Sequence, residues 1–184
     1  MQYQEYKKAA SKHLKSCQAI VDYFDHSNHN ISPLGEQYLL MNLFYLSGYT
    51  LECVINYALF NKICTKNRFP KTTCVYNLYD TSEKFGFHNK KYKERTTGRE
   101  FYPKFYIAGH DFMKNRILLK KLTPSSNLPL IHDEKIVPSS VFDLIKNWKT
   151  SCRYKTTPIY NRSDICDLID FTDKFYREVF KVVR

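Results

Sequence analysis

Few residues in this sequence punctuate the chain: 5 glycines and 7 prolines occur in 184 residues. That scarcity speaks against folds built from many tight turns or from glycine-rich loops that cradle phosphate. No GxGxxG, Walker loop, HExxH, GxSxG or kinase signature is present, so P-loop hydrolysis, zinc proteolysis and serine hydrolysis have no support. The six cysteines (17, 53, 64, 74, 152 and 166) include no CxxC pair and no two close pairs of the kind a zinc ribbon needs. The N-terminal MQYQEYKKAASKHLK has no apolar signal core. The expectation is reduced, mostly buried thiols in a cytoplasmic protein with no metal and no cofactor. A bridge between Cys64 and Cys74 stays open as an alternative.

Apolar material is plentiful, at 43% hydrophobic and 16% aromatic residues. A chain this apolar buries enough surface to offset its ordering entropy, and one compact domain over residues 1–184 is the default. Its charge of +11 is unevenly placed. Residues 1–60 carry 4 basic and 5 acidic side chains, residues 61–122 carry 15 and 5, and residues 123–184 carry 10 and 8. A field concentrated in the middle third favours an anionic partner, phosphate backbones first. A solvated lysine-rich loop explains the charge equally well.

Helical periodicity dominates. Tyr6, Ala10, His13, Leu14, Cys17, Ile20, Val21 and Phe24 form one stripe of a helix over 3–26. Pro33 suits the first turn of a second helix over 34–63. Its run at 38–60 is long enough to cross a bilayer, but Asn42, Glu52 and Asn56 interrupt it. A carboxylate near a bilayer centre is costly, so this is a central core helix, with Ser47 and Gly48 admitting another helix closely. Short helical pieces near 75–84 and mostly loop over 87–103 are expected next. A third helix over 104–122 offers Phe105, Phe112, Ile117, Leu118 and Leu122 as core residues. Ser139 and Ser140 are placed to cap a helix carrying Val141, Phe142, Leu144, Ile145 and Trp148. The last helix has the cleanest pattern: Asn161 or Ser163 as cap, then Ile165, Leu168, Ile169, Thr172, Tyr176, Val179, Phe180 and Val183. The fold class is all-α, an up-and-down bundle of four to five helices with a long basic, aromatic insertion over 65–103.

Histidine is the best candidate for acid–base chemistry, its ordinary pKa lying near neutrality. His13 sits at the edge of an apolar stripe and reads as packed; His26, His29 and His132 fall in loops; His88 stands among lysines. His110 is the most informative, because GHDFMKNR puts an acid beside it and Lys114 one helical turn beyond. The carboxylates of Asp164, Asp167, Asp170 and Asp173 lie along one helical edge, which reads as the solvent face.

Three blocks, YLSGYTLECVINYAL at 45–59, AGHDF at 108–112 and Trp148 followed by CRY at 152–154, together with the amphipathic last helix, resemble HEPN domains over about 5–182. These are the helical bundles of prokaryotic toxin–antitoxin, phage-defence and nucleotidyltransferase-associated proteins. The resemblance implies a helical bundle, often dimeric, that acts on RNA or serves a nucleotide-handling partner. The nuclease members share an Arg, four to six residues, then His. No histidine here has an arginine at that distance upstream; the nearest to His110 is Arg99, eleven positions away.

Three functions follow as expectations. The first is a HEPN-like, RNA- or nucleotide-directed binding or accessory protein of a defence or toxin–antitoxin system. It would hold RNA with Lys66, Arg68, Lys71, Lys90, Lys91, Lys93, Arg95 and Arg99, with Tyr92 for base stacking, while Phe101 and Tyr102 pin the insertion to the bundle. The second is a divergent, metal-independent endoribonuclease with His110 as general acid or base and Arg116 or Arg153 as phosphate clamp. The third is a protein-interaction module dimerising through the 34–63 helix. All three expect a homodimer and no membrane.

Overall fold

The computed structural model describes residues 3–26, 31–66, 87–88, 92–93, 100–101, 105–106, 110–122, 137–155 and 159–183. Among the described residues five helices pack together: α1 (Gln4–His26), α2 (Pro33–Lys66), α3 (Phe112–Leu122), α4 (Ser139–Asn147) and α5 (Arg162–Val182). A 3-10 turn, Thr150–Tyr154, follows α4. The all-α class is as expected. Between α2 and α3, two-residue strands pair Phe87–His88 with Phe105–Tyr106 in parallel and Tyr92–Lys93 with Glu100–Phe101 antiparallel.

α2 is the hub, packed by α1, α3, α5 and the 3-10 turn. It is long and apolar enough to span a membrane, but ten successive residues, Leu51 to Phe60, are buried within the bundle. A helix apolar all round belongs in such a position. α1 runs against α2, since Tyr6 stacks on Phe60 and His13 lies on Tyr49. α5 runs with α2: Gln37 exchanges hydrogen bonds with the backbone of Tyr160 at 2.9 and 3.1 Å, and Asn61 donates to the Val183 carbonyl at 3.2 Å. α3 runs with α2 as well, through the successive pairs Glu52–His110 and Asn56–Asn115. Among the described helices, α1 is therefore antiparallel to α2, while α3 and α5 run with it.

The amphipathic stripes orient the outer helices. α5 buries Ile165, Leu168, Ile169, Thr172, Phe175 and Val179, each large apolar side chain stabilising by ~1.5–3 kcal/mol relative to exposure. Phe175, outside the expected stripe, is 1% exposed, whereas Tyr176 is only partly buried. Asn161 is the cap, its Oδ1 accepting the Ser163 N–H at 2.8 Å. Three expectations need correction. α3 begins at Phe112 rather than 104, because Asp111 Oδ1 caps it by accepting the Lys114 N–H at 3.0 Å. Ile117 faces solvent at 47% exposure while Leu118 and Leu119 are buried; the side chains of Phe105, Phe112 and Leu122 lie outside the described part. Ser139 and Ser140 do not cap α4, which starts directly after Pro138 with no side-chain cap bond.

Ser47 and Gly48 do admit close neighbours, of different kinds. Ser47 Oγ meets Cys17 Sγ of α1 at 3.8 Å. A β-carbon on Gly48 would collide with the Trp148 indole, so glycine is what lets that ring lie on α2. Trp148 Nε1 donates to the Tyr45 carbonyl at 3.2 Å. Cys17, Cys53, Cys64 and Cys152 are buried and Cys166 is half-buried; burial pushes the Cys17 thiol up to about 11 and the Cys53 thiol up to about 12. Cys74 lies outside the described residues.

Candidate functional site

The site grows from one polar stripe on α2. Tyr45, Tyr49, Glu52 and Asn56 recur at spacings of four, three and four, which places them on one helical face. Beside that face stands the start of α3. Asp111 is committed to capping this helix, where it also pairs with Lys114 Nζ at 2.9 Å. The acid next to His110 in the sequence therefore serves the helix, and the imidazole takes a different carboxylate.

That carboxylate is Glu52, whose Oε1 lies 2.9 Å from His110 Nδ1. The two side chains differ sharply in exposure, 68% for His110 against 5% for Glu52. Burial raises the Glu52 pKa above its ordinary value, opposed by hydrogen bonding and charge attraction from His110. Its Oε2 is buried with no hydrogen-bond partner among the described residues. An ionised carboxylate only accepts hydrogen bonds, so against an ionised Glu52 the Nδ1 of His110 carries the shared hydrogen. A buried carboxylate fixing tautomer and orientation of an exposed imidazole is the geometry of an acid–base pair.

Two cavities meet at His110. One, of about 530 Å³, lies between α1 and α2, where Lys8, Lys12, His13, Tyr49 and Glu52 line it. The other, of about 600 Å³, lies toward α4, with Lys146, Trp148 and Lys149 in its wall. Lys8 also pairs with Glu5 at 2.9 Å. His13 is partly buried, and burial followed by the nearby Lys12 charge lowers its pKa, which keeps it neutral at physiological pH. Behind the dyad, Asn115 Nδ2 donates to Asn56 Oδ1 at 3.0 Å, both side chains buried, and this fixes α3 against α2.

The expected clamp residues part company. Arg116 is fully buried at 0% exposure, where loss of solvation lowers its pKa. Its enclosure sets it apart from the exposed His110 imidazole. Arg153 is exposed on the 3-10 turn, its Cζ 4.5 Å from the centre of the Tyr154 ring. Hydrogen bonding to Tyr45, and then to Tyr154, raises its pKa further. Tyr49 lines the cavity with Glu52 and His110, and burial foremost raises its pKa. Of the binding residues expected from the sequence, Arg68, Lys71, Lys90, Lys91, Arg95 and Arg99 lie outside the described residues. Only the backbone is described for Lys66, at the end of α2, and for Tyr92 and Lys93, in a strand.

Sequence reasoning missed Glu52, Lys8, Lys12 and Tyr49 as members of a site. Glu52 had a signal: a lone carboxylate inside an apolar helix demands a partner when buried. The lysines carry no comparable mark, being ordinary residues of α1's exposed edge. No group of three or more His, Cys, Asp or Glu side chains that could hold a metal ion occurs among the described residues. Compared with family models, with curated proteins and with solved structures, the chain finds no match.

Proposed function

We propose that this protein is an RNA-directed helical bundle that cleaves phosphodiester bonds without a metal, using His110 as the group that moves the proton. The observation carrying this reading is the 2.9 Å contact between His110 Nδ1 and the buried Glu52 carboxylate. With Glu52 ionised it leaves Nε2 as the acceptor of an imidazole that borders two cavities, edged by Lys8, Lys12, Lys146 and Lys149. Nε2 takes the proton of a ribose 2′-hydroxyl as that oxygen bonds to phosphorus. The bond from phosphorus to the 5′-oxygen breaks, and solvent protonates the leaving oxygen. Glu52 stabilises the imidazolium that forms, and the lysine ammonium groups offset charge on the phosphorane. The net charge of +11 and the sequence blocks that resemble HEPN domains support an RNA partner and a defence or toxin–antitoxin setting.

A second reading, binding without cleavage, is favoured by the burial of Arg116. Lysines are point charges and lack the bidentate fork that an arginine offers phosphate. Incubation of the protein with mixed cellular RNA in EDTA separates the two. Cleavage leaving 2′,3′-cyclic phosphate ends, absent in His110→Ala, supports the first; intact RNA retained on the protein supports the second. Neither cleavage nor retention would leave a protein partner as the anion that the basic surface meets.

A further inference from the structure

The first half of α2 and the 3-10 turn form an aromatic and basic surface at the edge of the bundle, where Tyr45 packs against the core and Tyr38 and Tyr154 do not. Tyr154 is 71% exposed and Tyr38 is 48% exposed. The Arg153 guanidinium lies over the Tyr154 ring, presenting a flat cationic layer. Next to it is a groove of about 240 Å³ lined by Tyr38, Asn42, Tyr45, Arg153 and Lys155, with no carboxylate among these residues. Its size falls below the usual ~300–1,000 Å³ of a ligand pocket, which suits one planar group rather than a partner helix.

We propose that Tyr38, Tyr154 and the Arg153 plane form a base-stacking subsite for single-stranded RNA, with Lys155 meeting phosphate and Asn42 the edge of a base. This rests on the RNA reading of the His110 site and extends it. Three features select the occupant. Exposed aromatic faces and a guanidinium plane accept any base by stacking. The local charge is positive, which suits a phosphate backbone. The surface is also continuous with the dyad: Tyr45 packs edge-on to Tyr49 at 4.7 Å, and Tyr49 lines the cavity at Glu52 and His110. Tyr38 and Glu52 stand fourteen residues apart on one helix, about 21 Å along its axis. The strand must therefore run several nucleotides beyond the reacting phosphate.

The test uses the full chain carrying His110→Ala, so that the RNA stays intact, and follows binding of a fluorescent octauridylate by anisotropy in EDTA. Tyr154→Ala and Tyr38→Ala should each weaken binding on the order of tenfold, equivalent to ~1.4 kcal/mol. Tyr154→Phe should retain binding, because the ring remains. Both positions are exposed, and circular dichroism checks that the bundle is intact. Binding by the parent with no change in either alanine variant overturns the subsite and leaves the RNA reading standing. Weakening only in Arg153→Ala and Lys155→Ala, with a reduced salt slope, makes the surface merely cationic and overturns the stacking role. No binding by parent or wild type overturns the RNA reading and the subsite together. Self-association lost in Tyr154→Ala, without RNA binding, assigns the surface to a second copy of the chain instead.

Discussion

α5 and α2 are both held by burial, but they bury themselves in opposite ways. α5 keeps a single apolar stripe inward and leaves Asp167, Asp170, Lys174 and Arg177 in water. α2 is enclosed on most sides and takes Ser47, Thr50, Glu52 and Asn56 inside with it. On an amphipathic helix, polar residues mark the outside and carry little information. On an enclosed helix each polar residue must be satisfied, and each therefore points at something: Ser47 at Cys17, Thr50 at the Leu46 carbonyl, Asn56 at Asn115 and Glu52 at His110. The contrast separates the part of the molecule that mainly supplies stability from the part that carries the candidate site.

Substitutions can break that contrast, beginning with the largest expected effect. Phe175→Ala removes a fully buried ring from the α5 stripe and should cost about 3–5 kcal/mol in urea unfolding, while the proposed cleavage should survive below the melting temperature. Gly48→Ala drives a methyl group into the Trp148 indole on α2. It should cost about 1–3 kcal/mol despite the better helix propensity of alanine, and it should also disturb the cavity that Trp148 lines.

Glu52→Gln tests the buried carboxylate through pH. A carboxyl whose folded pKa is raised binds its proton more tightly in the folded state than in the unfolded one. Stability should therefore fall as pH rises from the ordinary glutamate value of 4.5 to the raised folded value. The slope for one proton is at most ~1.4 kcal/mol per pH unit. Denaturation curves at several pH values should show this fall in wild type and its loss in Glu52→Gln, whose amide oxygen still accepts from His110. The smallest effect is at the α5 cap. Asn161→Ala loses the bond to Ser163 N–H and should lower stability by ~1 kcal/mol, leaving the dyad untouched.

The same contrast explains what was legible in the sequence. Periodicity marked α1 and α5 because one face of each meets water, and it missed Phe175 only because an aromatic residue on either side of that edge fits the spacing. α2 was recognisable as a core helix from its length and apolarity, yet such a helix gives no sign of which neighbour each side chain meets. His110 stood out by its chemistry; its partner did not, since Glu52 lies 58 residues away and only the same-sense packing of α2 and α3 joins them. The burial of Arg116 was hidden for a related reason. Charge suggests exposure, and this side chain is fully buried.

The central claim is that Glu52 and His110 act as one acid–base unit, and single-turnover cleavage of an end-labelled RNA in EDTA tests it most directly. For wild type, Glu52→Gln and His110→Ala, the account predicts measurable cleavage, a reduced rate, and a loss of at least ~100-fold, in that order. Cleavage by His110→Ala at the wild-type rate would contradict it.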